Sequence, residues 1–212
     1  MRFNERIRLA GGLIDDAALA PLLAETLDAA AGMEVSFFEA TTAAAFLAFA
    51  RTRADAAIVE VGLGGRLDAT NVIPRPLVCG IAQLGLDHHA FLGERIEAIA
   101  AEKAGIARKG VPLVTLRYPA KVAAPIAGKA AAAGATWLPQ GEAWDYELRE
   151  GWLRYGDAEG SLLLPPPRLR GDHQAANAAL AVAMLRHQRR LDVGAGPLRA
   201  AMHRADWPAR LQ

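Results

Sequence analysis

The chain alternates between short apolar runs and longer segments in which apolar residues recur every three or four positions. Three short runs are typical of buried parallel strands, and they cover Ala56–Val61, Pro76–Leu84 and Val111–Leu116. Helical periodicity marks the segments around them: Asp15–Asp16 to about Leu27, Ser36 to about Arg51, Glu94 to about Ala107, and about Ala120 to Ala133. Strands that alternate with helices in this way predict βαβ units and a parallel sheet.

The first and last parts of the chain depart from this alternation. Arg2–Leu9 predicts an edge strand or an extended lead-in, and Pro21 predicts a late start or a slight kink in the first helix. The predicted fold is therefore α/β, with a parallel part over residues 1–136, a small antiparallel meander over 137–167 and helices within 171–203. The meander is indicated by Trp144–Leu148, Trp152–Tyr155 and Ser161–Leu164, and the helices by Gly171 to about His187 and Gly196 to about His203.

Composition narrows the class of partner. The apolar content is 52% and the charged content 22%, as in an ordinary globular protein, and the formal net charge of +1 offers no electrostatic case for nucleic acid or an anionic membrane. The single cysteine, Cys79, cannot form an internal disulfide, which fits a reducing cytoplasm. No apolar stretch has the length of a membrane span. We expect a cytoplasmic protein without a nucleic-acid or membrane partner.

The densest cluster of candidate chemistry is Ile58–Val72. This stretch places the carboxylate of Glu60 just before three glycines, which allow a backbone to approach a ligand closely, and then a polar cluster. Ligands of open α/β sheets bind at the carboxyl ends of strands, where this cluster is expected. A structural turn with a paired surface acid, and an Asx-type closure of the polar cluster, are the alternatives.

Two further residues, His88 and Lys103, are candidates for chemistry together with Glu60. His88 follows the second predicted strand, so both side chains can face one crevice, and a carboxylate with an imidazole suits a hydrated Mg²⁺. Lys103 lies on the apolar stripe of its helix, where an ammonium group either extends outward to water or is buried with a partner. The alternative for His88 is a loop histidine with a structural hydrogen bond.

Four blocks of sequence then carry a resemblance to a known family. They are Glu60–Asn71, Gly85–His88 with Phe91–Gly93 and Glu102–Ile106, His173–Gln174 with Asn177, and Trp207–Arg210. In this order they resemble the folylpolyglutamate synthase/dihydrofolate synthase family of Mur-type ATP-dependent ligases. The resemblance extends over almost the whole range from Arg2 to Gln212. The resemblance implies a P-loop-type, three-layer Mur ligase central domain. In Trp207–Arg210, alanine stands where glycine is usual.

The resemblance also implies roles for individual residues. It places the pterin-bearing substrate at Asp68, Ala69, Thr70 and Asn71, adenine at Asn177, and the ATP phosphates near Arg210. Glu60 and His88 would hold Mg²⁺, and Lys103 would be carbamylated by CO₂ to support the metal. The intact enzyme would phosphorylate a dihydropteroate or folate carboxylate with ATP, after which L-glutamate would attack the acyl phosphate. A monomeric enzyme is expected.

No phosphate-loop motif of the form Gly-x-x-x-x-Gly-Lys-Ser/Thr occurs in the sequence. We therefore expect a truncated central ATPase domain over residues 1–206, with 207–212 as the start of a linker to a C-terminal domain. Because the phosphate loop supports phosphoryl transfer, this chain alone is expected to be inactive as a ligase. Because the loss of a strand exposes an edge of the sheet, the chain alone is also expected to be weakly stable. The alternatives are a non-catalytic remnant that binds folate or nucleotide, and a cell-wall amino-acid ligase of the Mur type.

Overall fold

A computed structural model describes residues 3–85, 95–169 and 171–206. The chain divides into two compact units, one made of Met1–Leu63 with Leu67–Val72 and the other of Gly64–Arg66 with Ile73–Gln212. Within the described ranges, no helix is both long enough and apolar enough to cross a membrane.

The first unit is built on a pair of helices, α1 (Asp16–Ala29) and α2 (Phe37–Arg51). Asp15 caps α1 by accepting a hydrogen bond from the amide of Ala18, and Ser36 with Glu39 forms a capping box at the start of α2. The two helices pack on a small apolar core that comprises Ile7, Ile14, Leu19, Leu22, Ala44 and Ala48. The predicted late start of α1 is wrong, because the helix already begins at Asp16 and continues through Pro21.

The lead-in to this unit differs from the predicted edge strand. Phe3–Arg6 forms a 3₁₀ helix. The two-residue strands β1 (Arg8–Leu9) and β2 (Gly12–Leu13) follow it in the sequence and pair with each other antiparallel. The side chain of Asn4 donates to the carbonyl of Ile14 and to the carboxylate of Asp16. These hydrogen bonds stabilise a tight local turn in place of an extended segment.

The predicted buried strand Ala56–Val61 is wrong. The segment has no regular secondary structure, and the side chain of Ile58 is 95% exposed. A parallel strand exists only through its ladder with a neighbour, and the described residues provide no ladder here. The apolar composition alone therefore does not make this segment a strand.

The second unit contains a three-stranded parallel sheet in the order β3 (Cys79–Ile81), β4 (Pro112–Thr115), β5 (Thr136–Pro139). Strands β3 and β4 lie inside the predicted runs Pro76–Leu84 and Val111–Leu116 and are shorter than them. Strand β5 was not predicted. It pairs with β4 from Thr136 to Pro139, so the parallel sheet extends into the range assigned to the meander.

Helices cover both faces of this sheet, which gives the predicted three layers. Leu113 of β4 belongs to the core shared with α3 (Ile96–Lys103) and α4 (Ala120–Ala133), whereas the next residue, Val114, belongs to the core shared with α5 (Asp172–His187). This alternation follows from the two-residue period of a strand. A 3₁₀ turn, Ala104–Ile106, continues α3, which ends earlier than predicted.

The predicted antiparallel meander is confirmed as β6 (Trp144–Arg149), β7 (Trp152–Asp157) and β8 (Gly160–Leu164). It packs against α5, and the last helix, α6 (Ala195–Arg204), contacts β8. Trp144 and Tyr155 stack with ring centroids 6.0 Å apart inside this core. The meander thereby fixes the orientation of α5.

A buried ion pair joins the end of β7 to the last turn of α5. The carboxylate of Asp157 is fully buried and accepts two hydrogen bonds from the Arg186 guanidinium, at 2.6 and 2.7 Å, and one from the Tyr155 hydroxyl at 3.0 Å. Burial raises the pKa of Asp157, but the hydrogen bonds from Arg186 and Tyr155 outweigh it, so the net pKa lies below the ordinary value. The carboxylate is therefore fully ionised at neutral pH.

Replacing Asp157 by Asn should destabilise the chain by about 3–5 kcal/mol, because Arg186 would keep its charge in a largely buried site, where the exposed Glu159 carboxylate at 3.9 Å is a poor substitute for the buried Asp157. The measurement is urea unfolding at neutral pH. Asp145→Asn is the matched control, because its pair with Arg117 is half-exposed and should cost at most about 1 kcal/mol. Equal losses in the two variants would contradict the assigned role of the buried pair.

The same substitution should remove a pH dependence. A carboxylate whose pKa is lower in the folded state contributes stability above its unfolded pKa of about 3.9, and loses it as the pH falls through the folded value. The difference in unfolding free energy between the wild type and Asp157→Asn should therefore be largest near neutrality and shrink below about pH 4. A difference that stays constant down to acid pH would exclude this linkage.

Candidate functional site

The glycine-rich loop of the second unit lies against the C-terminal end of α3. The amide of Arg66 donates to the carbonyl of Glu102 at 3.0 Å, and the Arg66 Nε donates to the Glu102 carboxylate, also at 3.0 Å. A carbonyl in the last turn of a helix has no partner within the helix, so the loop amide acts as a cap supplied from elsewhere in the chain. Both hydrogen bonds end on the residue that precedes Lys103.

Two glycines make this contact possible. A Cβ atom on Gly65 would lie 2.8 Å from the carbonyl oxygen of Glu102 and 3.0 Å from the Cα of Lys103, while one on Gly105 would lie 2.4 Å from the Cβ of Arg66. At each of these two glycines, an added Cβ atom would lie too close to the facing residue to be accommodated. Each backbone therefore approaches the other only because the facing residue has no side chain.

Lys103 is the last residue of α3 and is half-buried. The stripe predicted for this helix is confirmed at Ile99 and Ala100, which are fully buried. Within the described parts of the chain, the Lys103 amine makes no hydrogen bond and no ion pair.

The other two members of the predicted metal site are placed less completely. Glu60 is exposed and belongs to the first unit, whereas Lys103 belongs to the second. His88 lies outside the described residues. Among the residues that are described, no three histidine, cysteine or acidic side chains gather as a metal cluster. A site made of Glu60, His88 and Lys103 therefore stays a prediction.

The polar cluster Asp68–Asn71 forms a closed loop. One Asp68 carboxylate oxygen accepts from the amide of Leu63 at 2.8 Å, and the other accepts from the amide of Thr70 at 2.9 Å and from the Thr70 hydroxyl. The amide of Asn71 donates to the Asp68 carbonyl. This is the Asx-type closure that the sequence left open as an alternative. Thr70 is buried, and Ala69 and Asn71 are half-buried.

Three polar side chains line up at the start of α5. Asn177 donates to the side chain of Gln174 at 3.4 Å, and Gln174 in turn contacts a ring nitrogen of His173 at 3.1 Å. Asn177 is exposed, and its amide oxygen has no partner in the part of the chain that the structure describes. This side chain can therefore accept a hydrogen bond from a ligand. Arg210 lies outside the described residues.

A crevice that sequence analysis missed lies at the carboxyl ends of β4 and β5. Its volume is about 500 Å³, and its lining includes Arg117, Gln140, Asp145 and Ala175. The Asp145 carboxylate accepts from Arg117 at 2.7 Å and from Gln140 at 2.9 Å. Ala175 and Asn177 are two positions apart, so they project from opposite sides of α5. No signal in the sequence joined these residues, because they come from four separate segments of the chain.

Comparison with known proteins gives the chain its family. The folylpolyglutamate synthase of Lacticaseibacillus casei is 35% identical over 227 aligned residues, which cover 100% of this chain and 53% of that protein. Escherichia coli FolC in complex with DHPP and ADP superimposes with a TM-score of 0.92 at 35% identity, over 100% of this chain and 50% of that one. This chain belongs to the folylpolyglutamate synthase/dihydrofolate synthase family. No protein-family model matches it.

A further structure of the family carries more ligands. It is a bifunctional folylpolyglutamate synthase/dihydrofolate synthase with Mn, AMPPNP and L-glutamate bound, and it matches with a TM-score of 0.89 at 33% identity over 100% of this chain and 50% of its own length. The chain thus spans about half the length of the relatives that it matches. The predicted resemblance and fold class are confirmed along the whole chain.

Gly65→Ala should separate the loop from α3, because the new Cβ would overlap backbone atoms that cannot move independently. We expect a loss of about 1–3 kcal/mol in urea unfolding and faster hydrogen exchange of the Arg66 amide. Gly128→Ala is the control: it lies inside α4, where an added Cβ meets nothing within 4 Å. That change should stabilise the chain by about 0.5–1 kcal/mol. Unchanged exchange of the Arg66 amide in Gly65→Ala would show that the loop does not depend on this contact.

Proposed function

We propose that this chain carries the ATP- and pterin-binding part of a ligase that joins L-glutamate to dihydropteroate or to a reduced folate. The main support is the match over the whole chain with an enzyme that holds DHPP and ADP. In this chain the glycine-rich loop lies directly on the end of the helix that carries Lys103. A glycine-rich loop beside a half-buried amine suits the close binding of a phosphorylated substrate.

The proposed reaction has two steps. The γ-phosphoryl group of ATP is transferred to the carboxylate of the pterin substrate, which yields an acyl phosphate and ADP. The amino group of L-glutamate then attacks the acyl carbon, phosphate leaves, and an amide forms. Asn177 would hold the adenine base through its free amide oxygen, and Arg210 would meet the phosphates with a guanidinium fork. The protein contributes mainly by positioning and by neutralising charge.

Glu60, His88 and Lys103 would hold a divalent magnesium ion. Oxygen ligands suit this ion, so the exposed Glu60 carboxylate fits that chemistry directly, whereas Lys103 would fit it only as a carbamate. The neutral Lys103 amine would add to CO₂ and release a proton, which converts a cation into a carbamate anion. When bound, the metal supplies Lewis-acid stabilisation of the phosphoryl oxygens.

The pterin ring would bind at Asp68, Ala69, Thr70 and Asn71. Asp68 and Thr70 shape the loop through their mutual hydrogen bonds, so we propose that the backbone of this loop forms part of the contact. For location we propose the cytoplasm and a monomer. The buried thiol of Cys79, whose pKa is raised to about 11 by burial, is compatible with a reducing compartment, because it makes no disulfide.

Calorimetric titration of the purified chain with ATP and magnesium tests the nucleotide part of this proposal. We expect binding, and we expect Asn177→Ala to weaken it by about threefold to tenfold, the value of one neutral hydrogen bond. Arg189→Ala is the control, because Arg189 is exposed beyond the end of the same helix and should leave affinity unchanged. Absence of binding overturns the nucleotide assignment, and equal affinities overturn the role of Asn177.

A coupled assay of ADP release tests the reaction. We expect this chain alone to bind both ligands without releasing ADP, because no phosphate-loop motif occurs in its sequence. Release that requires L-glutamate together with dihydropteroate or tetrahydrofolate would overturn the expected inactivity. Binding without release fits the ligand-binding part of a ligase and also the alternative of a non-catalytic remnant. Turnover with a UDP-muramoyl substrate would instead assign the chain to cell-wall synthesis.

A further inference from the structure

The contact between Arg66 and Glu102 has a specific neighbour. Glu102 is held at two points by one residue, through its backbone carbonyl and through its carboxylate, each 3.0 Å from an Arg66 nitrogen. The next residue in the helix is Lys103, and its Cα lies 3.0 Å from where a Cβ of Gly65 would be. The position of the Lys103 backbone relative to the loop is thus fixed by the hydrogen bonds to Glu102 and by the close approach of Gly65.

General stability is a weak explanation for this ion pair. The side chains of Arg66 and Glu102 are 49% and 33% exposed, and an exposed pair contributes at most about 1 kcal/mol. The geometry is nevertheless more constrained than an ordinary surface pair, since the Arg66 amide caps the helix while its side chain binds the same residue. Two attachments to one residue restrict rotation of the last turn of α3 under the loop.

We propose that Arg66 and Glu102 are positioning residues, which hold the last turn of α3 against the glycine-rich loop and thereby fix the direction of the Lys103 amine. This inference rests on the proposed function, in which that amine, once carbamylated, would help to hold the magnesium ion. The two residues act through Lys103 and touch no reacting atom themselves. The Glu102 carboxylate is next to Lys103 in the sequence and is paired with Arg66. Because of this pairing, the carboxylate does not attract the Lys103 amine away from the site.

The test measures the reactivity of Lys103 itself, so it does not depend on ligase activity. Limited acetylation of the full chain with acetic anhydride, followed by peptide mass spectrometry, gives the rate at Lys103 relative to the exposed Lys121 and Lys129. In wild-type protein we expect Lys103 to react more slowly than these two references, because it is half-buried. Glu102→Gln and Arg66→Met should raise the relative rate by up to about fivefold, the equivalent of an exposed ion pair.

Matched variants separate positioning from a general loss of structure. Arg66→Lys keeps a cation that can reach Glu102 and should restore part of the wild-type rate. Glu97→Gln changes an acid at the other end of the same helix, in a pair 3.9 Å from Arg95, and should leave the Lys103 rate unchanged. The rates at Lys121 and Lys129 should stay constant in every variant, which shows that the fold is intact.

An unchanged Lys103 rate in both Glu102→Gln and Arg66→Met overturns the inference, as does a rise in Glu97→Gln of the same size. Failure of the proposed function has a different signature. In that case the chain binds no nucleotide in the calorimetric titration, while the acetylation rates still respond to the loop variants. The two outcomes can therefore be told apart.

Discussion

The candidate site depends on one steric constraint, the contact of two backbones at Gly65 and Gly105. Because neither residue has a side chain, the loop amide of Arg66 reaches the unpaired carbonyl of Glu102. A methyl group at either position would push the loop away from the helix end by more than a hydrogen bond tolerates. The placement of Lys103 beside the loop, and the pairing of Arg66 with Glu102, both follow from that approach.

A second constraint is a buried ion pair at the C-terminal end of α5. Asp157 binds Arg186 through two hydrogen bonds in a buried pair. The Tyr155 hydroxyl donates to the Asp157 carboxylate, and the Tyr155 ring lies against the Arg186 guanidinium. The burial of Tyr155 raises its pKa, so its hydroxyl stays a donor. With its last turn fixed to the meander, α5 presents His173, Gln174 and Asn177 at its first turns in one orientation. A helix held at one end by an ion pair can thus present exposed polar side chains at the other end in a fixed orientation.

The sequence predicted best the elements that local interactions determine. The first turns of α1 and α2 carry their own caps at Asp15 and Ser36, and α4 ends at Gly134 in a left-handed conformation. It failed where a distant partner decides the outcome. Ala56–Val61 has the composition of a strand but no described neighbour, and Thr136–Pro139 becomes a strand only because Pro112–Thr115 lies beside it. The ion pairs of Arg66 with Glu102 and of Asp157 with Arg186 are non-local in the same way.

The structure also changes the meaning of the Asp68–Asn71 string. A carboxylate next to a predicted ligand is usually assigned to the ligand, but both oxygens of Asp68 already accept hydrogen bonds from Leu63 and Thr70. Withdrawing them for a pterin ring would leave loop amides without partners, which costs about as much as the new hydrogen bonds return. Asp68 therefore fixes the shape of the loop, and it does so through hydrogen bonds that join residues five and two positions away from it in the sequence.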